Sequence, residues 1–271
     1  IRLDPTRTQL QLWNLDDGTP LFAKLREGAP ASFFASEAQG LGWLAETKGP
    51  RIPEVIAAGE ELLVLEYIAP GEPSRSGAAV LGEQLAVMHD YGSGREFGAP
   101  AGGGAPMAGF VGDLPLDNSP SANWPEFFLT RRCLPYLRQA TDSGTFSPAQ
   151  AGEIERLLTR LAQRSGAPEP AARIHGDLWS GNVHYDTKGA PWLVDAAAAH
   201  WGHRETDLAT LQLFGAPFLD VTLASYNAAL PLAAGWRERV RMHQLHLLLV
   251  HAVLFGPRYA EQVFSAARSL R

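Results

Sequence analysis

The sequence predicts an α+β protein of two lobes, a small antiparallel-sheet lobe at residues 1–70 and a larger, mostly helical lobe at 71–271. Three observations carry this. Before residue 70 the strand-like runs cluster around a single helix; the breaker run Pro70-Gly71-Glu72-Pro73 then interrupts the chain; beyond it helical stripes dominate, with short strand-like runs confined to Ala172–Asp195. The 271 residues are 45% hydrophobic and 19% charged, enough to bury a sizeable core and unlike a disordered chain.

The elements follow in order. Thr8 to Leu15 puts Leu10 and Leu12 on one face and Gln9 and Gln11 on the other, the period of a half-buried strand, and Asp16-Asp17-Gly18 reads as a turn into a second strand, Leu21 to Leu25. Ser32 is the expected N-cap of a helix carrying Phe34, Ala38, Leu41 and Leu44, with Glu37 inside it. Leu62 to Tyr67 reads as a buried strand. Ala79 to His89 has the stripe of a helix, and Ser93 to Asn123, rich in Gly and Pro, is expected to be irregular. Trp124 to Leu137 is a further helix, and Ser147-Pro148-Ala149-Gln150 is a capping-box start for one running to Leu161. From Arg204 the pattern is helical to the end.

Lys+Arg 23 against Asp+Glu 29 gives a net charge of −6, which argues against a nucleic acid or an anionic membrane as the main partner. No apolar run is long enough for a membrane span, and no secretory signal is visible. One cysteine, Cys133, cannot make an intrachain disulfide, so a reducing cytoplasm is the expected setting and a small buried hydrophobe its expected role. The chain opens at Ile1 and runs straight into strand-like sequence, so further sequence is expected upstream.

The chemistry is concentrated in His175-Gly176-Asp177-Leu178-Trp179-Ser180-Gly181-Asn182, between strand-like runs, and in Trp192-Leu193-Val194-Asp195, a short apolar strand ending in a carboxylate. Phosphoryl transfer from a nucleotide needs a carboxylate to orient and deprotonate the attacking hydroxyl, and an amide with a second carboxylate to hold Mg²⁺ on the phosphates. Asp177 and Asn182 stand five residues apart, the spacing Asp-x-x-x-x-Asn of a kinase catalytic loop. Asp195 is the matching metal-holding acid, and Lys24 on a strand with Glu37 on the next helix fit the ion pair that positions nucleotide phosphates. Taken alone, Asp177 and Asn182 could cap a turn, and Lys24 and Glu37 could be solvated surface charges.

The run His-Gly-Asp-Leu-Trp-Ser-Gly-Asn, with the later Trp201-Gly202-His203-Arg204-Glu205-Thr206-Asp207-Leu208-Ala209, resembles the fructosamine kinases, or ketosamine-3-kinases, in the aminoglycoside-phosphotransferase-like branch of the protein kinase-like fold. Phe34–Ala38, Leu65–Ile68, Leu85–His89 and Asn123–Phe128 match in the same order, so the resemblance covers nearly the whole chain. It implies Asp177 as the base toward a sugar hydroxyl, Asn182 and Asp195 as Mg²⁺ ligands, and Lys24 with Glu37 at the ATP phosphates. It also implies that the backbone of Glu66, Tyr67 and Ile68 holds adenine and that Trp179 offers a face to the substrate. The implied reaction is ATP-dependent phosphorylation of fructosamine or ribulosamine adducts, free or lysine-linked, as a deglycation step; separately, a monomer or weak dimer is expected. Two departures stand out: no glycine-rich hairpin precedes Lys24, and Ala196-Ala197-Ala198 replaces the proline expected after Asp195. The rivals are an aminoglycoside, choline or homoserine kinase of the same fold, and a nucleotide-binding pseudokinase.

The remaining polar residues receive structural readings. His175 is expected to fix the catalytic loop by hydrogen bonding, and His243, His246 and His251 to be packing or surface residues of a C-terminal helix, with no structural metal. Glu205 and Asp207 read as helix-start charges, and Gly102-Gly103-Gly104, which lacks a P-loop ending, as a surface loop.

Overall fold

A computed structural model describes residues 7–92, 96–101 and 109–271, which leaves Gly102-Gly103-Gly104 outside the described residues. Strands β1 (Gln9–Asn14), β2 (Pro20–Leu25), β3 (Val55–Ala58) and β4 (Leu62–Glu66) form one antiparallel sheet in the order β1-β2-β4-β3. The hairpin turn expected at Asp16-Asp17-Gly18 is present, Asp17 accepting from the Thr19 N–H at 2.8 Å. The short strand β3 had no clear signal in the sequence, since three of its four residues are exposed and their apolar pattern is brief.

Helix α1 (Phe33–Ala45) packs on this sheet. Ser32 does not cap it as expected: its backbone is left-handed (φ 66°), and the main-chain carbonyl of Ser32 instead accepts from the N–H of Ser36 at 2.8 Å. Helix α2 (Arg75–Asp90) starts earlier than its apolar stripe suggests because Ser74 caps it, Oγ accepting from Gly77 N–H at 3.1 Å.

The expected irregular stretch is a partial error. Gly109–Val111 (β5) and Leu114–Leu116 (β6) form a tight hairpin, and Phe97 bridges to Ser121. Three-residue strands are too short to show a period, which is why the sequence conceals them. The helix expected from Trp124 is built in pieces: α3 (Trp124–Phe127), a π-helical turn at Phe128–Cys133, and α4 (Leu134–Asp142). Pro135 supplies no N–H to the preceding turn, which is a physical reason for the changed hydrogen-bond pattern. Helix α5 (Pro148–Leu158) carries the complete capping box of Ser147 and Gln150, and a single turn, α6 (Leu161–Arg164), follows it.

Two short antiparallel pairs then carry the polar motif, only the second of them a hairpin. Ala172–Ile174 (β7) pairs with His200–Gly202 (β10), and Val183–Tyr185 (β8) pairs with Pro191–Leu193 (β9). Helices α7 (Arg204–Phe214), α8 (Leu219–Ala229), α9 (Trp236–Phe255) and α10 (Ala260–Arg268) complete the chain. Helix α9 is buried along most of its length, and with α2, α4, α7 and α10 it encloses the main core, which includes the fully buried Cys133. No described helix is long and apolar enough to cross a membrane.

Candidate active site

Strand β2 lies inside the sheet between β1 and β4, so Lys24, opposite Leu63, is only 8% exposed. A buried ammonium needs paired charge, and it has two partners: Nζ donates to Glu37 Oε1 at 2.7 Å and to Asp195 Oδ1. Helix α1 supplies Glu37, itself 5% exposed, and the turn after β9 supplies Asp195. Thus β2, α1 and the β8–β9 hairpin, far apart in sequence, meet at one ammonium group.

The same hairpin holds Asn182 close by. Asn182 immediately precedes β8, its Nδ2 donates to the main-chain carbonyl of Asp177 at 2.9 Å, and its own carbonyl accepts from Val194 N–H at 3.1 Å. With its Nδ2 engaged in this way, the amide oxygen of Asn182 is the end available to a cation. Asp195 has a left-handed backbone (φ 60°), a conformation that aspartate tolerates better than most residues. Its side chain is 48% exposed beside the Lys24 contact. Two oxygen donors of this kind suit a hard divalent cation such as Mg²⁺.

Asp177 sits at the head of the loop with its pKa raised to about 7. Burial is the main cause; the negative charge of Asp207 adds to it, and the Asn182 amide opposes it. A carboxyl poised there exchanges protons readily near neutral pH.

His175 is completely buried, as a structural histidine would be. Nδ1 accepts the Asp177 N–H at 3.3 Å, so Nε2 carries the proton and donates to the Val194 carbonyl at 2.8 Å. Desolvation pushes its pKa down and keeps the ring neutral. It therefore ties the Asp177 backbone to the strand end that precedes Asp195.

Asp207 does more than favour the start of a helix. It does lie in the first turn of α7, yet its two oxygens accept the N–H groups of His175 (2.8 Å) and Gly176 (2.9 Å), and Oδ2 also receives His89 Nε2 at 3.2 Å. These hydrogen bonds hold its pKa low despite full burial. The missed signal is a carboxylate on the buried side of a helix that follows a polar loop. Glu205 is likewise more than a helix-start charge: Arg239 grips both of its oxygens at 2.6–2.9 Å. His203, Glu205 and His243 converge within 4.8 Å, but that carboxylate is already neutralised by Arg239.

Glycine is obligatory at two points of the framework. Gly176 has φ 82°, and a Cβ there would lie 2.3 Å from the Ala198 carbonyl oxygen. A Cβ on Gly40 of α1 would lie 2.0 Å from the Ala196 carbonyl oxygen. The Ala196-Ala197-Ala198 segment, which departs from the expected proline, is thus packed between α1 and the Asp177 loop, with Ala196 and Ala198 buried.

A cleft of about 360 Å³ opens beside these groups. Lys24, Val194 and Asp195 line one part of it, Glu66, Tyr67 and Ile68 another, with Leu10 and Phe22 from the sheet. The Ile68 N–H has no acceptor among the described residues. His184, which the sequence reading did not single out, lines the same cleft from β8. Trp179 stands near Asp177, 40% exposed and edge-on to Phe214 at 6.1 Å.

The family model described as fructosamine kinase matches residues 7–270. The chain belongs to the fructosamine kinase family. A probable ketoamine kinase of Klebsiella aerogenes is 33% identical over 257 residues, covering 91% of this chain and 84% of that protein. The crystal structure of a putative fructosamine-3-kinase from Thermobifida fusca is 43% identical, with a TM-score of 0.89 over 97% of this chain and 90% of its own. LicA, solved in complex with AMP, is 13% identical with a TM-score of 0.59 over 99% of this chain and 90% of its own, and shares the fold. This fructosamine kinase family member is accordingly a phosphotransferase with the two-part kinase-like architecture, a small antiparallel sheet followed by a helical part.

Proposed function

We propose that this protein transfers the γ-phosphoryl group of ATP to a hydroxyl on the sugar moiety of a ketosamine, a fructosamine or ribulosamine adduct on a small amine or a lysine side chain. The observation that carries this reading is the convergence of Glu37 and Asp195 on Lys24 at the edge of one cleft, with Asn182 and an Asp177 of pKa about 7 on the adjoining loop. Asp177 orients the sugar hydroxyl and accepts its proton as the oxygen attacks. Lys24, fixed by Glu37, neutralises phosphate charge, while the main chain of Glu66 to Ile68 holds adenine and the bare Ile68 N–H donates to it. Asn182 and Asp195 hold Mg²⁺, whose chemistry is to offset charge on the nucleotide phosphates. Trp179 lies against the linear sugar.

Catalysis in this reading is positioning: Asp207 and His175 lock the loop geometry, and Asn182 with Val194 couples the base to the metal-holding acid. The phosphorylated adduct is unstable and releases the amine, which makes the reaction a deglycation step. Residues up to 70 serve as the nucleotide lobe and residues from 71 as the catalytic and substrate lobe. The buried lone cysteine and the acidic net charge fit a cytoplasmic monomer or weak dimer that acts on neither nucleic acid nor membrane.

The test is ATP consumption with Mg²⁺ and a small fructosyl-amine, with an aminoglycoside as the comparison substrate. Fructosyl-amine turnover that Asp177→Asn abolishes while ATP binding persists is the expected result. Turnover of the aminoglycoside alone, or ATP binding with no turnover of either, overturns the reading.

A further inference from the structure

The aromatic side chain beside the base is the first of a row. Trp179 lies over Gly181, where a Cβ would meet the indole at 2.2 Å, and turns its edge to Phe214 at the end of α7. Phe214 is 42% exposed, with its ring centre 5.2 Å from His251 on α9. His251 in turn lies 5.4 Å from Phe255, which is 47% exposed, and 4.9 Å from Tyr259. Exposed aromatic surface that is continuous with a polar active-site loop marks a contact surface rather than a packing remnant.

The polar member of the row is set up as an acceptor. His251 Nδ1 lies 2.7 Å from the Leu247 carbonyl, which can only accept, so Nδ1 bears the proton and the lone pair is on Nε2. Partial burial and the charge of Arg258 hold the ring neutral at physiological pH. Nε2 makes no hydrogen bond to any described residue. Neutral imidazole and electron-rich ring faces together favour a cation carrying an N–H.

A ketosamine has such a group. Its secondary amine, protonated near neutral pH, is separated from the reacting hydroxyl by only a few bonds, and the substituent on nitrogen is the part that differs from one adduct to another. Resting on the ketosamine kinase reading above, we infer that Phe214, His251 and Phe255 form the subsite for the amine half of the substrate. His251 Nε2 accepts from the ammonium, and the substituent lies across Phe214 and Phe255. Continuity with Trp179 fixes the direction: sugar toward Asp177, substituent toward Phe255.

Steady-state kinetics with fructosyl-methylamine and fructosyl-benzylamine test this, because the two share the sugar and differ only in the substituent. The wild type is expected to favour the benzyl adduct in kcat/KM, and Phe255→Ala to reduce that preference about fivefold. Phe255→Leu, which keeps bulk without an aromatic face, should give an intermediate loss. His251→Phe, which preserves ring packing but removes the acceptor, should raise KM for both adducts about tenfold while kcat and the KM for ATP hold. Turnover of both adducts with an unchanged preference in Phe255→Ala, or an unchanged KM in His251→Phe, refutes the subsite and leaves the ketosamine reading standing. Absence of wild-type turnover on either adduct refutes both.

Discussion

Replacing Asp177 with asparagine should make the free protein more stable at the same time as it abolishes turnover. A carboxyl held at about 7 instead of 3.8 takes up a proton on folding, so the folded state pays for keeping it ionised. The size follows from 1.36 kcal/mol per pH unit, about 4 kcal/mol at most above pH 7, and water entering the cleft reduces it to about 2–4 kcal/mol. The sign sets the window: the raised pKa lowers wild-type stability as pH climbs from about 4 to about 7, whereas the uncharged Asn variant is spared. The assay is thermal unfolding without nucleotide or metal at a series of pH values. The two melting curves should coincide near pH 4 and separate by about 5–10 °C above pH 7, in favour of Asp177→Asn. Turnover should fall by about 10²–10⁴. Melting temperatures that stay parallel across this range would show that burial does not perturb Asp177, and the assignment of a near-neutral base would fall with them.

Three other perturbations probe the framework. Asp207→Ala leaves the His175 and Gly176 N–H groups unpaired in the interior and should cost about 1–3 kcal/mol for each in denaturant unfolding, whereas Asp207→Asn should cost less. In Asp207→Asn the acid limb of kcat/KM should also move to lower pH, since the charge that helps raise the Asp177 pKa is gone. Gly176→Ala should lose about 1–3 kcal/mol or more, read by the same unfolding, because φ 82° and the Ala198 carbonyl both oppose a side chain. Lys24→Met should weaken ATP binding, measured by calorimetry, about tenfold or more, by removing the cation between Glu37 and Asp195.

The elements that carry long periods were legible from sequence: the β1–β2 hairpin, α1, α2, α5 with its capping box, and the helical second half. Those that rest on three-residue ladders were not, as the β5–β6 hairpin within a Gly- and Pro-rich stretch shows. The residues proposed for phosphate, metal and base chemistry could be named because Asp177 and Asn182 have the spacing of a kinase catalytic loop with a second acid beyond them, and the fold brings Lys24, Glu37, Asp195 and Asn182 to one place. Asp207 was passed over because its significance lies in which backbone donors it meets, a tertiary fact that its position in a helix start does not reveal. His184 and the row from Phe214 to Phe255 were not legible for the same reason, since which side chains line a cleft or stay exposed is also a tertiary fact.

The close approach of Gly40 to Ala196 has a consequence for how the chain is made. The ammonium of Lys24 finds its second carboxylate 171 residues later, and the face of α1 beside Glu37 is completed by the Ala196 backbone. While a ribosome is still producing the middle of the protein, the early sheet and its helix have their local contacts but lack the surface and the charge that finish them. Until the segment beyond Asp195 has been made, the amino-terminal part lacks the carboxylate and the backbone that complete this face.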